Sequence, residues 1–533
     1  MTLPATPPAD VGQPWWKLLS RYQWFVLIVA ALGWLLDCMD QQLFNLARIP
    51  AMRELLSHTY GRPATPAEFQ SFGAYATAIF LLGWASGGLI FGVLGDRWGR
   101  AKTMLLTILL YSGCTGLSAF ASAFWDFALY RFLTGLGVGG EFAVGVALVA
   151  EVMPERARPY TLGLLQALST VGNITAAVTS IGLGQLEESG VLGQFGGWAA
   201  WRWMFLVGAM PAILVVLVRR GLKEPERWLE MRKNPELRKR MGDYGELFGN
   251  PNWRKPSALA GILLLAGIAI AFLVPMNRLQ QFLGVDPAGA GAGLLKHWVV
   301  AAFSLAALGA GVWTVYGGGG DTRYRSRAMV GLLLALSGVI GVWGIAFFSF
   351  DLVREVLGKK FAADGVDPKL IPGLLTKWAG ITSMVQNFAA FFGIYGYGLV
   401  AQRFGRKPAF AIALTLAMVC TATTFWFLRD FWHIFVLVPL MGFATLSLFG
   451  GYAIYFPELF PTRLRSTGTS FCYNVGRFVA AGGPAALGIL TGVIYKDTAE
   501  PLRFAGITMC AVYLIGMMAL PFAPETKGKP LPE

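Results

Sequence analysis

Charge is scarce in this 533-residue chain: Asp, Glu, Lys and Arg make up 14% of it, against 55% hydrophobic residues. A soluble domain carries about 25% charge, so the composition excludes a soluble globular fold and reads as a polytopic membrane protein. Histidine is nearly absent. The three present, His58, His297 and His433, form no cluster with Asp or Cys. No nucleophile elbow or metal-ligand spacing occurs, so an enzyme is not expected and no metal or cofactor is implied. Five cysteines (Cys38, Cys114, Cys420, Cys472 and Cys510) lie within apolar runs and read as buried free thiols. The glycine run Val315–Gly320 lacks the lysine and serine of a phosphate loop, which removes a nucleotide site. The amino end, MTLPATPPADVGQPWW, has no apolar h-region or cleavage site, so targeting is expected to fall to the first spanning helix. The net charge of +14 calls for no nucleic-acid partner, because basic residues in short loops are what orientation in a bilayer produces.

Long apolar runs are what the chain has in abundance. A run of about 18 residues with few charges is a candidate spanning helix. Six precede a charged central stretch, at 23–46, 72–94, 103–123, 127–149, 162–184 and 203–220. Eight follow, at 258–275, 297–316, 328–350, 378–401, 409–428, 432–454, 467–490 and 504–522. Basic residues recur at alternate connections: Lys17 and Arg21, then Arg97, Arg100 and Lys102, then Arg156 and Arg158, then the loop after the sixth run. The same parity continues through Arg323–Arg327, Arg403–Lys407, Arg463, Arg465 and Lys527. The positive-inside rule makes these connections and both termini cytoplasmic.

A repeat sets the register of the two halves. GVLGDRWGR at 92–100 returns as GLVAQRFGR at 398–406. Gly92, Gly99, Arg97 and Arg100 match Gly398, Gly405, Arg403 and Arg406, whereas Asp96 faces Gln402. Small residues let two helices joined by a short turn approach closely, and an aspartate there can bond the amide end of a neighbouring helix. Because the first copy follows the second helix of its half, the second copy makes 328–350 and 378–401 the first two helices of the second half. The runs 258–275 and 297–316 are then a surplus pair, expected to span as an inserted hairpin. The expected organisation is a tail at 1–22, a six-helix bundle at 23–220 and a central loop at 221–257. The inserted pair with its link occupies 258–327, a second bundle 328–522 and a tail 523–533. The fold class is all-α, with about 14 transmembrane helices.

Few charges lie inside the runs. Asp37 and Asp40 stand in GWLLDCMDQQL, three residues apart and so on one helix face. An ionised carboxylate at bilayer depth costs about 2.5–3.5 kcal/mol, so such residues face a cavity and usually have a task. Asp37 is the expected buried partner, whereas Asp40 can also be read as wet, near the outer helix end. Arg131 and Glu141 lie about 15 Å apart along one helix and do not pair. Arg131 either snorkels to the interface or lines the cavity, and Glu141, among glycines, reads as a structural tie. Arg477, one turn past Asn474, either reads a substrate carboxylate or bridges to Glu458. Asn173, Gln386 and Asn387 can contact substrate or simply bond a neighbouring helix. Tyr395, Tyr397, Tyr452 and Tyr455 are weaker cavity candidates.

GVLGDRWGR resembles the signature loop of the major facilitator superfamily. RFLTGLGVGGEFAVGVALVAEVMPERAR resembles the next motif of that family, an arginine and a glycine ladder. KEPERWL, PELFPTRLRSTG and the terminal PETKG are similar to its sugar-porter and metabolite:proton-symporter branch, and the fourteen-run layout is similar to bacterial sialic acid:proton symporters. LQQFLG at 279–284 resembles a sugar-porter signature but falls in the turn of the surplus pair, which weighs against a typical hexose porter. The resemblance implies alternating access in the inner (plasma) membrane, by a monomer that handles a small molecule together with protons. Proton coupling falls to Asp37, Asp40 and Arg131, and substrate binding to Asn173, Gln386, Asn387, Asn474 and Arg477. The conformational motif comprises Gly92, Asp96, Arg97, Gly99, Arg100, Glu141, Arg403, Gly405 and Arg406. The expected function is proton-coupled symport of a small organic anion, a carboxylate or acidic sugar. A neutral sugar or polyol porter and a transporter-derived membrane sensor are the alternatives. Asp96 is expected to be a charged latch of the outward-open state, with far more effect on cycling than Gln402.

Overall fold

The computed structural model describes residues 13–194, 197–213, 221–273, 295–367, 371–480, 486–487 and 490–532. All regular structure among them is helical, and each of the fourteen apolar runs carries helix. Nine of the described helices are long and apolar enough to cross a membrane. The N-terminal helices are α1 (Arg21–Tyr60), α2 (Pro66–Trp98), α3 (Arg100–Ser118), α4 (Phe124–Val152), α5 (Arg158–Glu188) and α6 (Ala200–Gly208). After short helices in the central stretch come α7 (Arg254–Leu273) and α8 (Leu295–Tyr316). The C-terminal set is α9 (Arg323–Ile340), α10 (Ser349–Ala363), α11 (Ile371–Phe404), α12 (Arg406–Phe427), α13 (Phe431–Leu459), α14 (Arg465–Ala480), α15 (Pro501–Met509) and α16 (Val512–Ala519).

The chain forms two compact units, one of residues 1–242 and 329–533 and one of Asp243–Ala328. In the smaller unit α7 packs on α8. Asn250 Nδ2 donates to the Thr314 carbonyl at 2.8 Å, and the Gly320 N–H donates to the Gly249 carbonyl at the same distance. The two helices of the surplus pair therefore pack on each other. LQQFLG lies outside the described residues.

In the larger unit the packing repeats. α4 lies between α2 and α3, and α13 lies between α11 and α12, while α2 meets α14 and α5 meets α11 across the two sets. The glycine ladder of α4 explains the first contact. A side chain at Gly135 or Gly139 would overlap the backbone of α2 around Phe80 and Trp84, and one at Gly137 would meet the Tyr111 amide of α3 at 2.7 Å. Only glycine permits such backbone approach, and in a bilayer close packing of this kind drives helix association.

α1 is longer than its apolar run. It starts on a Ser20–Gln23 capping box and continues through Pro50 to Tyr60, where Gly61 ends it in the left-handed conformation. Forty residues of helix extend about 60 Å, so the charged segment after the apolar run continues the helix. Trp201 and Arg202 tie this extension to α6 through Glu54, at 2.6 and 2.9 Å. Its counterpart after 350 is helical too, as α10.

Gly139→Val is expected to push α2 and α4 apart at a cost of about 1–3 kcal/mol, measurable as a lower thermal-unfolding midpoint in detergent. Gly145→Ala is the control: its added methyl meets only Met104 Sδ, at 3.9 Å, and should leave the midpoint in place.

Candidate functional site

The two copies of the repeated turn have the same geometry. Gly99 (φ 121°) and Gly405 (φ 103°) begin α3 and α12 in a region that L-residues avoid. Neither glycine can cap the helix it starts, so a distant carboxylate does. Glu224 accepts from the amides of Ala101 and Lys102 at 3.2 and 3.1 Å, and Glu525 from those of Arg406 and Lys407 at 3.0 and 3.1 Å. Arg100 and Arg406 fold back to the same turn, donating to the carbonyls of Gly95 and Ala401. Each also meets the acid that ends the next helix: Arg100 binds Glu151 at 3.0 Å, and Arg406 binds Glu458 through two bonds of 3.0 and 2.7 Å.

The copies differ where Asp96 stands against Gln402. Asp96 is fully buried and reaches the N-terminus of α14, accepting from the amides of Ser466 (3.2 Å) and Thr467 (2.9 Å) and from Thr467 Oγ1 (2.6 Å). It is also paired with Arg100 at 3.0 Å. Arg465 then crosses to Glu151 at 2.8 Å, so the N- and C-terminal helices share one buried charge cluster at the basic end of the bundle. At the positions of α5 that correspond to Ser466 and Thr467 stand Pro159 and Tyr160. Proline has no N–H to offer, so a carboxylate at 402 would lack one of the donors Asp96 has. Arg97 donates to the Met241 carbonyl at 3.0 Å, and exposed Arg403 lies over the Phe404 ring. Gly92 packs directly on Ser470 of α14.

The intramembrane charges gather in a second place. Asp40 is halfway along α1 and fully buried, because the helix runs on to Tyr60. The wet reading of Asp40 is thereby overturned. Arg131 does not snorkel: it is buried, 3.9 Å from Asp40, bonded to Ser118 Oγ at 2.6 Å and lying 4.6 Å over the Phe205 ring. Asp37 accepts from Gln41 Nε2 at 3.2 Å. Glu141 presses on Gly33, and neither of its carboxylate oxygens has a hydrogen-bond partner among the described residues.

Between the two helix sets lies a cavity of about 100 Å³. Its lining includes the aromatic side chains of Trp34, Trp84, Trp343, Phe350, Phe449 and Tyr473. It also includes amides, among them Gln41, Gln166, Asn173, Gln386 and Asn387, with Asn173 Nδ2 donating to Asn387 Oδ1 across the halves at 2.9 Å. Arg477 lines it as well. Its guanidinium lies 4.0 Å over the Trp84 ring and 4.1 Å over Tyr473, and Nη1 donates to the Tyr473 carbonyl at 2.6 Å. The bridge to Glu458 that the sequence left open is not made, because Glu458 is engaged by Arg406. Three buried donors bordering the cavity, Arg477 Nε, Trp34 Nε1 and Trp84 Nε1, have no hydrogen-bond partner among the described residues.

Of the predicted site residues, Asn173, Gln386, Asn387 and Arg477 border the cavity, and Asn474 does not. Asn474 instead donates to the Gly139 carbonyl at 3.3 Å and packs on Gly88, tying α14 to α4 and α2. Tyr397 and Tyr452 pack around Phe410, and Tyr455 donates to the Pro524 carbonyl at 2.7 Å, so the tyrosine candidates contribute elsewhere. Sequence reasoning passed over Trp34 and Trp84, lost among the aromatics, and gave Glu224, Glu525 and Glu151 no role. Extending the repeat would have found Glu151: AEVMPERAR and PELFPTRLR place Glu151 with Glu458 and Arg158 with Arg465.

Two sets of helices closed on each other by buried charge at one end, with a polar cavity between them, define a membrane transporter. Residues 22–358 match the family model described as Major Facilitator Superfamily, and 330–528 match that of Sugar (and other) transporter. The chain belongs to the Major Facilitator Superfamily. It is 27% identical to a putative metabolite transport protein of Haemophilus influenzae, an alignment covering 96% of this chain and 99% of that one. It is 26% identical to a probable 4-methylmuconolactone transporter of Cupriavidus pinatubonensis, over 96% and 93% of the two chains. Among solved structures, the E. coli proton:xylose symporter XylE has the same fold, with a TM-score of 0.65 at 17% identity over 96% of this chain and 98% of that one.

Asp96→Asn should weaken charge-assisted bonds worth about 1.5–3 kcal/mol, speeding amide exchange at Ser466 and Thr467 by about 10–100-fold, whereas Gln402→Ala should leave both amides unchanged. The Glu525 cap gives a pH signature. Partial burial pushes its carboxyl up, but the amides of Arg406, Lys527, Lys407 and Thr526 outweigh that and hold it below the ordinary 4.5. A depressed carboxyl stabilises the fold above its unfolded value and loses that contribution as pH falls through its folded value. Glu525→Gln is therefore expected to lower the unfolding midpoint at neutral pH and to leave it unchanged in acid below the folded value.

Proposed function

We propose that this transporter is a proton-coupled symporter of a small, planar organic carboxylate. The observation that carries the reading is the trio of unpartnered buried donors, Arg477 Nε, Trp34 Nε1 and Trp84 Nε1, in a cavity rich in aromatic side chains. A buried donor without a partner costs about 1–3 kcal/mol, more when charged, and an anionic carboxylate satisfies such donors at once. The flat aromatic surfaces favour a conjugated or ring acid, in keeping with the lactone named for the Cupriavidus relative. Asn173, Gln386 and Asn387 would orient the rest of the substrate, and Asn474 would hold α14 in place.

Proton coupling is assigned to Asp37, Asp40 and Arg131. A carboxylate fixed 3.9 Å from an arginine in a dry helix interior changes its partner strongly when it takes a proton. In this reading the bundles 23–220 and 328–522 rock about the cavity, and the inserted pair 258–327 spans the bilayer. The turns at 92–100 and 398–406 form the cytoplasmic seal, and Asp96 latches the state in which that side is closed. Both termini lie in the cytoplasm, the membrane is the inner (plasma) membrane, and the protein works as a monomer. The amides of the lining favour a second reading, a neutral sugar or polyol porter.

Uptake into proteoliposomes separates the two. The panel is benzoate, a muconolactone, sialic acid, a uronic acid and xylose, each with and without an inward proton gradient. A gradient-driven signal is expected for a planar acid, with Arg477→Ala raising its half-saturation concentration about 10–100-fold. Asp37→Asn is expected to abolish gradient-driven uptake while sparing counterflow. Uptake of xylose alone, indifferent to Arg477→Ala, would establish the second reading.

A further inference from the structure

Glu141 is a buried titratable group for which neither the latch nor the cavity accounts. It is 2% exposed, and both carboxylate oxygens lack a hydrogen-bond partner among the described residues. Oε1 lies so close to Gly33 of α1 that any side chain there would overlap it. Gly33 and Asp37 are four residues apart, one turn of about 5.4 Å along the same helix face. The Glu141 carboxylate therefore sits about one turn from Asp37, whose own Oδ1 is also unpartnered.

From this arrangement we propose that Asp37 and Glu141 hold a single proton between them, which makes Glu141 a proton-carrying residue of the transport cycle. The proposal rests on the proton-coupled reading above and names a second seat for its proton. The charge inventory around the pair supports it. On α1 stand Asp37, Cys38 and Asp40; on α3 stands Tyr111, whose hydroxyl donates to the Gly33 carbonyl at 3.5 Å. On α4 stand Arg131 and Glu141, and α14 contributes Tyr473, stacked on Phe142 beside Glu141, and Arg477, which lies over Tyr473 and lines the same cavity as Cys38, the neighbour of Asp37. Three carboxyl groups thus face two guanidinium groups. Arg131 is matched by Asp40, leaving Asp37 and Glu141 with Arg477 as the remaining cation. Two like charges in a dry site cannot both ionise, and one shared proton brings the cluster to neutrality.

The arrangement also supplies a coupling step. A carboxylate substrate on Arg477 takes that cation from the cluster, and a second proton entering the pair restores the balance. Each bound anion then carries one proton, and the loaded cavity is electroneutral. No bond other than O–H is made or broken. Both protons titrate as a property of the pair rather than of either residue.

The test needs no substrate. Full-length protein in lipid nanodiscs is titrated while the infrared C=O band of protonated carboxyl groups is recorded. The expected result is a band at neutral pH in the resting protein that is lost in both Asp37→Asn and Glu141→Gln, since either substitution removes the need for the resident proton. A band that survives either substitution unchanged, or a wild-type spectrum without one, would falsify the shared proton. If Glu141→Gln does not fold, judged by size exclusion, Glu141→Asp decides: a shifted band supports the pair and an unshifted one overturns it. Failure of proton-driven uptake with the band intact would instead remove the symport reading and leave the pair standing.

Discussion

One fully buried carboxylate from the N-terminal helices holds the N-terminus of a helix from the other half. Asp96 bonds two amides and a hydroxyl at the start of α14, where the helix dipole and unsatisfied N–H groups favour an anion. The rest follows from that grip. With the end of α14 drawn onto α2, only small residues fit between them, and Gly88, Gly92 and Gly95 meet Asn474, Ser470 and Ser466 in turn. Two to three turns from that N-terminus, the same helix presents Tyr473 to Phe142 and Arg477 to Trp84. The wall of the cavity is thus positioned by a bond made at the end of the bundle.

The distribution of charge carries a division of labour. The membrane-embedded acids Asp37, Asp40 and Glu141 all belong to N-terminal helices, whereas Arg477 comes from the C-terminal set. Opposite charges on the two helix sets stabilise their approach, and neutralising either side removes that attraction. Under the symport reading proposed above, ion and substrate would act on the same interface without touching each other.

The sequence carried the helical architecture and the twofold turn, because hydrophobic run length and a repeated motif are local properties. It also marked Asp96 as the odd residue of the turn. The reason for the oddity lies hundreds of residues away, in a serine–threonine pair where the other half has proline and tyrosine, and only packing brings the two together. Glu224 and Glu525 were equally invisible as caps, since nothing near Gly99 or Gly405 announces a partner from beyond the next helices. Asp40 was misplaced for a different reason. The charges from Arg48 onward read as the end of a spanning segment, yet a helix needs no bilayer to continue, and Asp40 became a mid-helix residue once α1 ran to Tyr60. Arg477 stood out as a charge inside a run, but the indoles of Trp34 and Trp84 escaped notice because an indole N–H is functional only when its partner is missing, which composition cannot reveal.

The length of α1 has a mechanical meaning. Its far third is bolted to α6 through Glu54, Trp201 and Arg202, and Arg202 also clamps the carbonyls of Ala119 and Ala121 just beyond α3. Such a rod is a lever arm with its carboxylates near the fulcrum. At about 60 Å overall, a tilt of roughly 10° sweeps one end through about 10 Å relative to the other. Motion too small to disturb the packing around Asp37 and Asp40 is thereby amplified at the tip. Under the proton-coupled reading proposed above, the rod would convert a local rearrangement at these carboxylates into a displacement comparable to the width of a helix.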